Sequence, residues 1–185
     1  MREVHGGLKR LVGPARYRHS LRVATLCREI ARREGVSIVS AHVAGLSHDL
    51  ARDLPRDVLV AFVPCLEDVG KHEVEHPVLL HGAVAAHLLA HVYGLPIPEI
   101  LEAVRHHTLG APGLGPLGQI LFCADYLEPQ RTHISREEAG RILSLPLPDM
   151  VCAVVEHMER SGFPVHPVTM EMYRALREER VNAHV

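Results

Sequence analysis

Six residues, His19, His48, Asp49, His81, His107 and Asp125, offer four imidazoles and two carboxylates. Six nitrogen and oxygen ligands exceed the four of a closed structural zinc site. A donor set of this kind without a thiolate suits Fe, Mn, Co or Zn, and is large enough for two ions. A two-metal site brings water toward ionisation near neutral pH. It also clamps the attacking and leaving oxygens of a phosphoryl transfer. These six are drawn from a chain that holds 15 His among 185 residues, against 4 Tyr, 3 Phe and no Trp.

Helical periodicity and the cost of buried charge single out all of these but His81. On the first long helical stretch, His19, Val23, Leu26 and Ile30 share one narrow arc, with most of the charged residues on another side. Taken alone, His19 reads as a core histidine bonded to a carbonyl. The next stretch has a bulky face of Val39, Val43, Leu46 and Leu50, and a small face of Ala41, Ala44 and Gly45 with His48 among them. Small residues permit close helix approach, so His48 and Asp49 are expected in a crowded interior, as a structural pair or as ligands. Further on, His107 borders the arc of Ile97, Ile100, Leu101 and Val104, whereas His106 points to the opposite, solvated side. Asp125 follows an apolar run, Ile120 to Ala124, and ends 19 uncharged residues. A carboxylate buried there needs a metal, an arginine or a raised pKa. His81 precedes Gly82 and Ala83, while His87 and His91 form a competing i,i+4 pair, and spacing alone leaves that choice open.

The elements that must position these residues are helical. Segments at roughly 14–34, 39–50, 55–62, 78–93, 97–108, 116–127, 136–144, 148–160 and 167–180 carry helical patterning. Pro14, Pro55, Pro148 and Pro167 stand at or near helix starts, and Gly35 and Gly94 just past ends. Ser135 and Glu138 form a capping-box pattern. The one β-branched run, 36–39, leads into an Ala-rich helical stretch. The expected fold is all-α, a single domain over 1–185 with its core at about 10–180.

Composition narrows the function classes. A formal net charge of −2 lacks the basic excess that a nucleic-acid-binding surface requires. Residues 76–98 are free of formal charge, but their four histidines would be expensive in hydrocarbon, so a buried helix is expected rather than a membrane span. Residues 1–9 lack the apolar core of a secretory signal. Cys27, Cys65, Cys123 and Cys152 lie far apart among apolar residues, which reads as buried free thiols in a reducing cytoplasm.

Five ordered segments resemble a known family. Arg16-Tyr17-Arg18-His19-Ser20-Leu21-Arg22-Val23 and Ala44-Gly45-Leu46-Ser47-His48-Asp49-Leu50-Ala51-Arg52 resemble the opening of HD-domain metal-dependent phosphohydrolases. Leu80-His81-Gly82-Ala83-Val84-Ala85, Ala103-Val104-Arg105-His106-His107-Thr108-Leu109-Gly110 and Ala124-Asp125-Tyr126-Leu127-Glu128-Pro129-Gln130-Arg131 look like the YqeK-type subfamily, which are symmetrical bis(5′-nucleosyl)-tetraphosphatases. The chain departs from the subfamily pattern at Ala85, His106 and Leu109.

The resemblance implies a single HD-domain helical bundle and a set of roles. His19, His48, Asp49 and Asp125 match the ligands of one metal. His81 and His107 match those of a second, with Asp49 bridging and His48 and Asp49 serving catalysis. Iron is the implied metal, with Mn, Co or Zn also compatible. The implied reaction is hydrolysis of diadenosine tetraphosphate (Ap4A) to two ADP, by hydroxide attack at a central phosphorus. Arg52, Arg105 and Arg131 stand beside the ligand motifs as candidate phosphate binders. The implied partner is a dinucleoside polyphosphate or nucleotide, with no nucleic-acid polymer and no membrane. Alternatives are another HD phosphohydrolase, such as a nucleotidase or deoxynucleotide triphosphohydrolase, a nucleotide or metal sensor without turnover, and a purely structural metal site.

Overall fold

A computed structural model describes residues 2–67 and 69–182. The extreme ends of the expected 1–185 domain lie outside that range. Among the described residues there are helices and no strands. Eleven α-helices follow in order: α1 Arg2–Leu11, α2 Pro14–Glu34, α3 Ile38–Ser47, α4 Arg56–Ala61, α5 Lys71–Glu75, α6 His81–His91, α7 Pro98–His106, α8 Pro116–Leu127, α9 Arg136–Leu143, α10 Leu147–Arg160 and α11 Pro167–Asn182. Short 3-10 turns at Val63–Cys65 and Pro77–Leu80 complete the list.

Local chemistry sets most of the boundaries. α2 starts on Pro14, which lacks the amide hydrogen that a first helical turn leaves unpaired. It stops at Gly35, whose φ of 71° is left-handed and whose N–H bonds back to the Ala31 carbonyl. Ser37 caps α3 by accepting the Ser40 N–H at 3.2 Å, and Ser135 caps α9 by accepting that of Glu138 at 3.1 Å.

α2, α3, α7 and α8 pack together at the centre, α6 lies against α7, and α10 against α8. α8 is buried along nearly its whole length, with Ile120, Leu121, Cys123 and Ala124 at 0% exposure, as its uncharged run requires. α2 and α3 approach backbone to backbone. A Cβ on Gly45 would stand 2.7 Å from the Ala24 Cα, so only glycine permits this spacing. The small face of α3 therefore does what its composition predicted.

Several expectations need correction. The helix expected over 39–50 ends at Ser47. Beyond it the chain tightens into successive turns, Leu50 N–H to Ser47 O at 3.0 Å and Arg52 N–H to Asp49 O at 3.0 Å. The segment expected as one helix over 78–93 opens as the 3-10 turn and becomes α-helical only at His81. α1 and α5 were not anticipated; α1 contains Gly6 and Gly7, and Gly7 makes room for the Tyr93 ring. Val39, grouped with the bulky face of α3, is 72% exposed, whereas Val43, Leu46 and Leu50 of that face are buried. Cys65 is exposed, whereas Cys27, Cys123 and Cys152 are buried; all four are free thiols. No helix among the described residues is long and apolar enough to cross a membrane.

Candidate metal centre

Five separate segments deliver the six predicted residues to one place. His19 projects from the inner face of α2, and His48 and Asp49 from the turn after α3. His81 is the first residue of α6, His107 directly follows the last residue of α7, and Asp125 lies in the final turn of α8. His19, His48, Asp49, His81 and His107 are all buried. The Asp125 side chain retains 22% exposure, so it lines the wall of a cavity rather than lying sealed in the apolar helix expected for it.

The ligand atoms converge. His19 Nε2 lies 2.9 Å from Asp125 Oδ1, and His48 Nε2 lies 3.7 Å from the same oxygen. Asp49 reaches both halves of the cluster. Its Oδ2 is 3.5 Å from His48 Nε2 and 4.0 Å from His19 Nε2; its Oδ1 is 3.4 Å from His81 Nε2 and 3.9 Å from His107 Nε2. Two overlapping donor sets close enough for a metal result, His19–His48–Asp125 and His48–Asp49–His107. The pair His87 and His91 belongs to neither; their rings lie against each other, 4.4 Å between centroids.

The imidazoles are held in one tautomer. Nδ1 of His48, His81 and His107 sits 2.9, 2.6 and 2.7 Å from the carbonyls of Gly45, Val78 and Val104, in each case three residues back. A carbonyl only accepts, so each Nδ1 carries a hydrogen and each Nε2 faces the centre, where it offers a lone pair once any proton on it is displaced. His48 Nε2 is buried with no hydrogen-bond partner. His81 and His107 place their Nε2 atoms 3.0 Å apart. The Thr108 hydroxyl lies 3.1 Å from His107 Nε2 and 3.4 Å from His81 Nε2, but its one hydrogen satisfies only one of these two lone pairs, and a cation satisfies both. The donor set therefore fits a metal ion, with backbone carbonyls orienting its ligands.

The charges agree. Burial pushes the His107 imidazole down to about 3, helped by His81 and His48, so it is neutral and ready to ligate. Burial would depress His48 as well, but the Asp49 carboxylate beside it, and then Asp125, lift it to about 9. Asp49 and Asp125 are held well below the usual carboxylate range despite burial, Asp49 chiefly by His48 and Asp125 chiefly by its hydrogen bond with His19. Without a metal, a proton on His48 balances these carboxylates.

Arginines ring the cavity above this cluster. Arg16, Arg52 and Arg131 line it together with Asp49, His81, His107, Thr108 and Asp125. Arg131 grips Asp125 through both its carbonyl, at 2.9 Å, and its carboxylate. Arg16 bonds Asp49 Oδ2 at 2.8 Å and Asp53 Oδ1 at 2.9 Å. Arg105 differs from expectation. Its guanidinium turns to the Glu67 carbonyl and lines adjoining cavities rather than this one. His106, expected in solvent, is half-buried at the edge of one of those cavities.

Two supporting residues were missed by the sequence reading. Arg16 stands three residues before His19, hence on the same helical face. Glu128, 3% exposed, sits 3.6 Å from His19 Nδ1 and pairs with Arg22 from α2. Its spacing of three from Asp125 was the available signal.

A family model described as HD domain matches residues 16–130, well over half of the chain. The chain is an HD-domain protein. All six cluster residues lie within the HD match, and α9, α10 and α11 lie beyond it. Over 166 residues this HD protein is 29% identical to the symmetrical bis(5′-nucleosyl)-tetraphosphatase of Bacillus subtilis (strain 168), covering 87% of this chain and 89% of that one. It is 34% identical to the probable nicotinate-nucleotide adenylyltransferase/Ap4A hydrolase of Mycoplasma pneumoniae over 92% of this chain, and spans 46% of that longer protein. A solved structure from Clostridium acetobutylicum, described as a predicted HD superfamily hydrolase involved in NAD metabolism, superposes with a TM-score of 0.85. It is 26% identical, with 96% of this chain and 97% of that one covered.

Proposed function

We propose that this HD-domain protein is a metal-dependent hydrolase that cleaves diadenosine tetraphosphate symmetrically to two ADP. The observation that carries the proposal is the centre itself. Asp49, His81, His107 and Asp125 line one cavity, and the Nε2 atoms of the buried His19 and His48 stand behind them, 2.9 Å from Asp125 and 3.5 Å from Asp49, which makes more donors than a closed structural site uses. The tetraphosphatase name of the Bacillus subtilis relative, aligned over most of both chains, supports the substrate.

In this reading His19, His48 and Asp125 hold one ion, and His81 and His107 help to hold a second, with Asp49 touching both sets. Iron is the proposed metal, with Mn, Co or Zn as substitutes. When bound, divalent ions there polarise phosphoryl oxygens and bring water toward ionisation. The chain's own groups do the rest. The carbonyls of Gly45, Val78 and Val104 fix the three rings, so no reorientation is needed as charge develops.

Asp49, a carboxylate on the cavity wall, would take the proton of the attacking water. His48 would act beside it by holding that carboxylate in place, since in this reading both of its ring nitrogens are engaged, Nδ1 by the Gly45 carbonyl and Nε2 as a ligand. That water adds to a central phosphorus, the bridging P–O bond breaks, and ADP leaves on each side. Arg52 lines the cavity, and among the described residues no ion pair occupies it, which leaves its fork free for phosphate. Arg16 and Asp53 already pair with each other, so Asp53 does not claim Arg52. Arg131 anchors Asp125 and turns its remaining donor capacity to the same cavity. Arg105 contributes from the neighbouring cavity. A cytoplasmic setting accords with the buried free thiols at Cys27, Cys123 and Cys152. The acidic formal charge accords with a small nucleotide partner rather than a polymer or a membrane.

The test is anaerobic purification with metal analysis, followed by chromatography of the products from diadenosine tetraphosphate. ADP as the sole product supports the proposal. ATP with AMP, or inorganic phosphate released from a nucleoside monophosphate with the dinucleotide untouched, overturns it. Binding without turnover favours a sensor.

A further inference from the structure

The metal centre is flanked by two further cavities that its ligands do not fill. One, of about 260 Å³, shares His107, Thr108, Asp125 and Arg131 with the centre. It is walled by Phe122, Tyr126, His133, Met158 and Phe163. The other, of about 240 Å³, shares Leu79 and Thr108 with the centre and is walled by His72, Leu109, His166 and Val168. Thr108 lines all three spaces, so both flanks adjoin the cavity that the metal ligands line.

Flat rings stand in the wall of each flank. The chain has only three Phe and four Tyr, and Phe122, Tyr126 and Phe163 line the same flank. There Tyr126 and His133 lie 4.3 Å apart at 47°, with Phe163 edge-on to His133 at 5.6 Å. Phe163 is 43% exposed, an unusual place for a large apolar ring unless something else covers it. On the other flank His72 and His166 lie 4.5 Å apart at 39°. Burial, followed by repulsion from Arg131, holds His133 below its ordinary range, so that ring is neutral. His166 is lowered likewise, by burial and then by His72. Neutral rings of this kind stack on nucleobases, as aromatic side chains do wherever bases leave solvent.

We infer that each flank takes one nucleobase of a dinucleoside polyphosphate, Phe163, Tyr126 and His133 stacking one and His72 and His166 the other, with the phosphates lying across the metal ligands between them. The inference rests on the hydrolase reading for its substrate and adds what that reading lacks, the feature that decides where the chain is cut. Two base sites on opposite sides of one centre bring the middle of a symmetrical molecule to the ligands. A single base site would register the phosphates from one end only.

Equilibrium dialysis of ADP against the metal-loaded full chain tests it. Two ADP per chain are expected. Phe163→Ala and His72→Ala, both at exposed positions, each weaken one of the two by about tenfold, the scale of a lost base stack. Metal content and the melting temperature stay unchanged, and the double variant weakens both. For diadenosine tetraphosphate each single variant raises KM about tenfold with kcat nearly constant. One ADP per chain, two variants that weaken the same ADP, or variants with no effect overturn the inference. The hydrolase reading fails separately: two ADP bound as described, with no cleavage of the dinucleotide by the wild-type chain, leaves the two base sites standing and removes the reaction.

Discussion

Gly82→Ala is expected to disable the centre far more than it destabilises the fold. Gly82 follows His81 at the start of α6, against the end of α7. A Cβ there would stand 2.6 Å from the Arg105 carbonyl oxygen and 3.0 Å from that of Val104. Both obstacles are backbone, so no side chain can rotate away. Relief to ordinary contact at 3.4 Å requires α6 and α7 to part by roughly 0.8 Å.

Overpacking of this size costs about 1–3 kcal/mol. Replacing glycine by alanine in a helix returns up to about 1 kcal/mol. The net loss is then about 3 kcal/mol at most, or roughly 6–12 °C in Tm for a chain of this length. The displacement falls, however, between His81 and His107, whose Nε2 atoms lie 3.0 Å apart. The Val104 carbonyl that would be pushed is also the one that orients His107. A misplacement near 1 Å typically costs about 100-fold in rate. Thermal melts, metal analysis and kcat/KM on one preparation separate the two effects. Gly140→Ala is the control: Gly140 lies in α9 with open space where a Cβ would go, so a gain of about 0.5–1 kcal/mol and full activity are expected. A Gly82→Ala protein with wild-type activity and metal content would refute the argument that α6–α7 spacing sets the ligand geometry.

Other perturbations probe separate parts of the structure. Asp125→Ala and His48→Ala should each abolish turnover together with metal retention, measured by metal analysis after dialysis; metal retained in either variant would remove that residue from the ligand set. Because the metal-free His48 imidazole is raised to about 9, metal must displace a proton at pH 7. Apparent metal affinity should therefore rise about tenfold per pH unit between 7 and 9, and a flat profile in chelator competition would contradict this. The sign for stability is the reverse. A His pKa above its ordinary 6.5 stabilises the metal-free fold fully below about pH 6.5, and this contribution disappears as pH rises through about 9, so metal-free protein should melt lower at pH 9 than at pH 7. Glu128→Gln removes the carboxylate that pairs with Arg22 and faces His19, and should cost about 2 kcal/mol in chemical denaturation, since Arg22 is left without its partner while remaining partly in solvent.

The sequence alone was enough for the helical fold, the family and the six converging residues. Its periodicity placed His19 inward on α2, and the uncharged run through Ala124 marked α8 as buried, because those signals depend only on local spacing and on the cost of burying charge. The small face of α3 foretold the close α2–α3 contact for the same reason.

Only the tertiary structure decided how the donors point. The turns that replace helix after Ser47, and the 3-10 turn before His81, depend on packing against neighbours distant in sequence. The first set of turns ends the helix at His48 and Asp49, and the second supplies the Val78 carbonyl that orients the His81 ring. Arg16 and Glu128 likewise gained their roles through contacts 33 residues away, on Asp49, and 106 residues away, on Arg22. Local sequence specifies which residues must be inside; which atoms meet there is set by long-range packing.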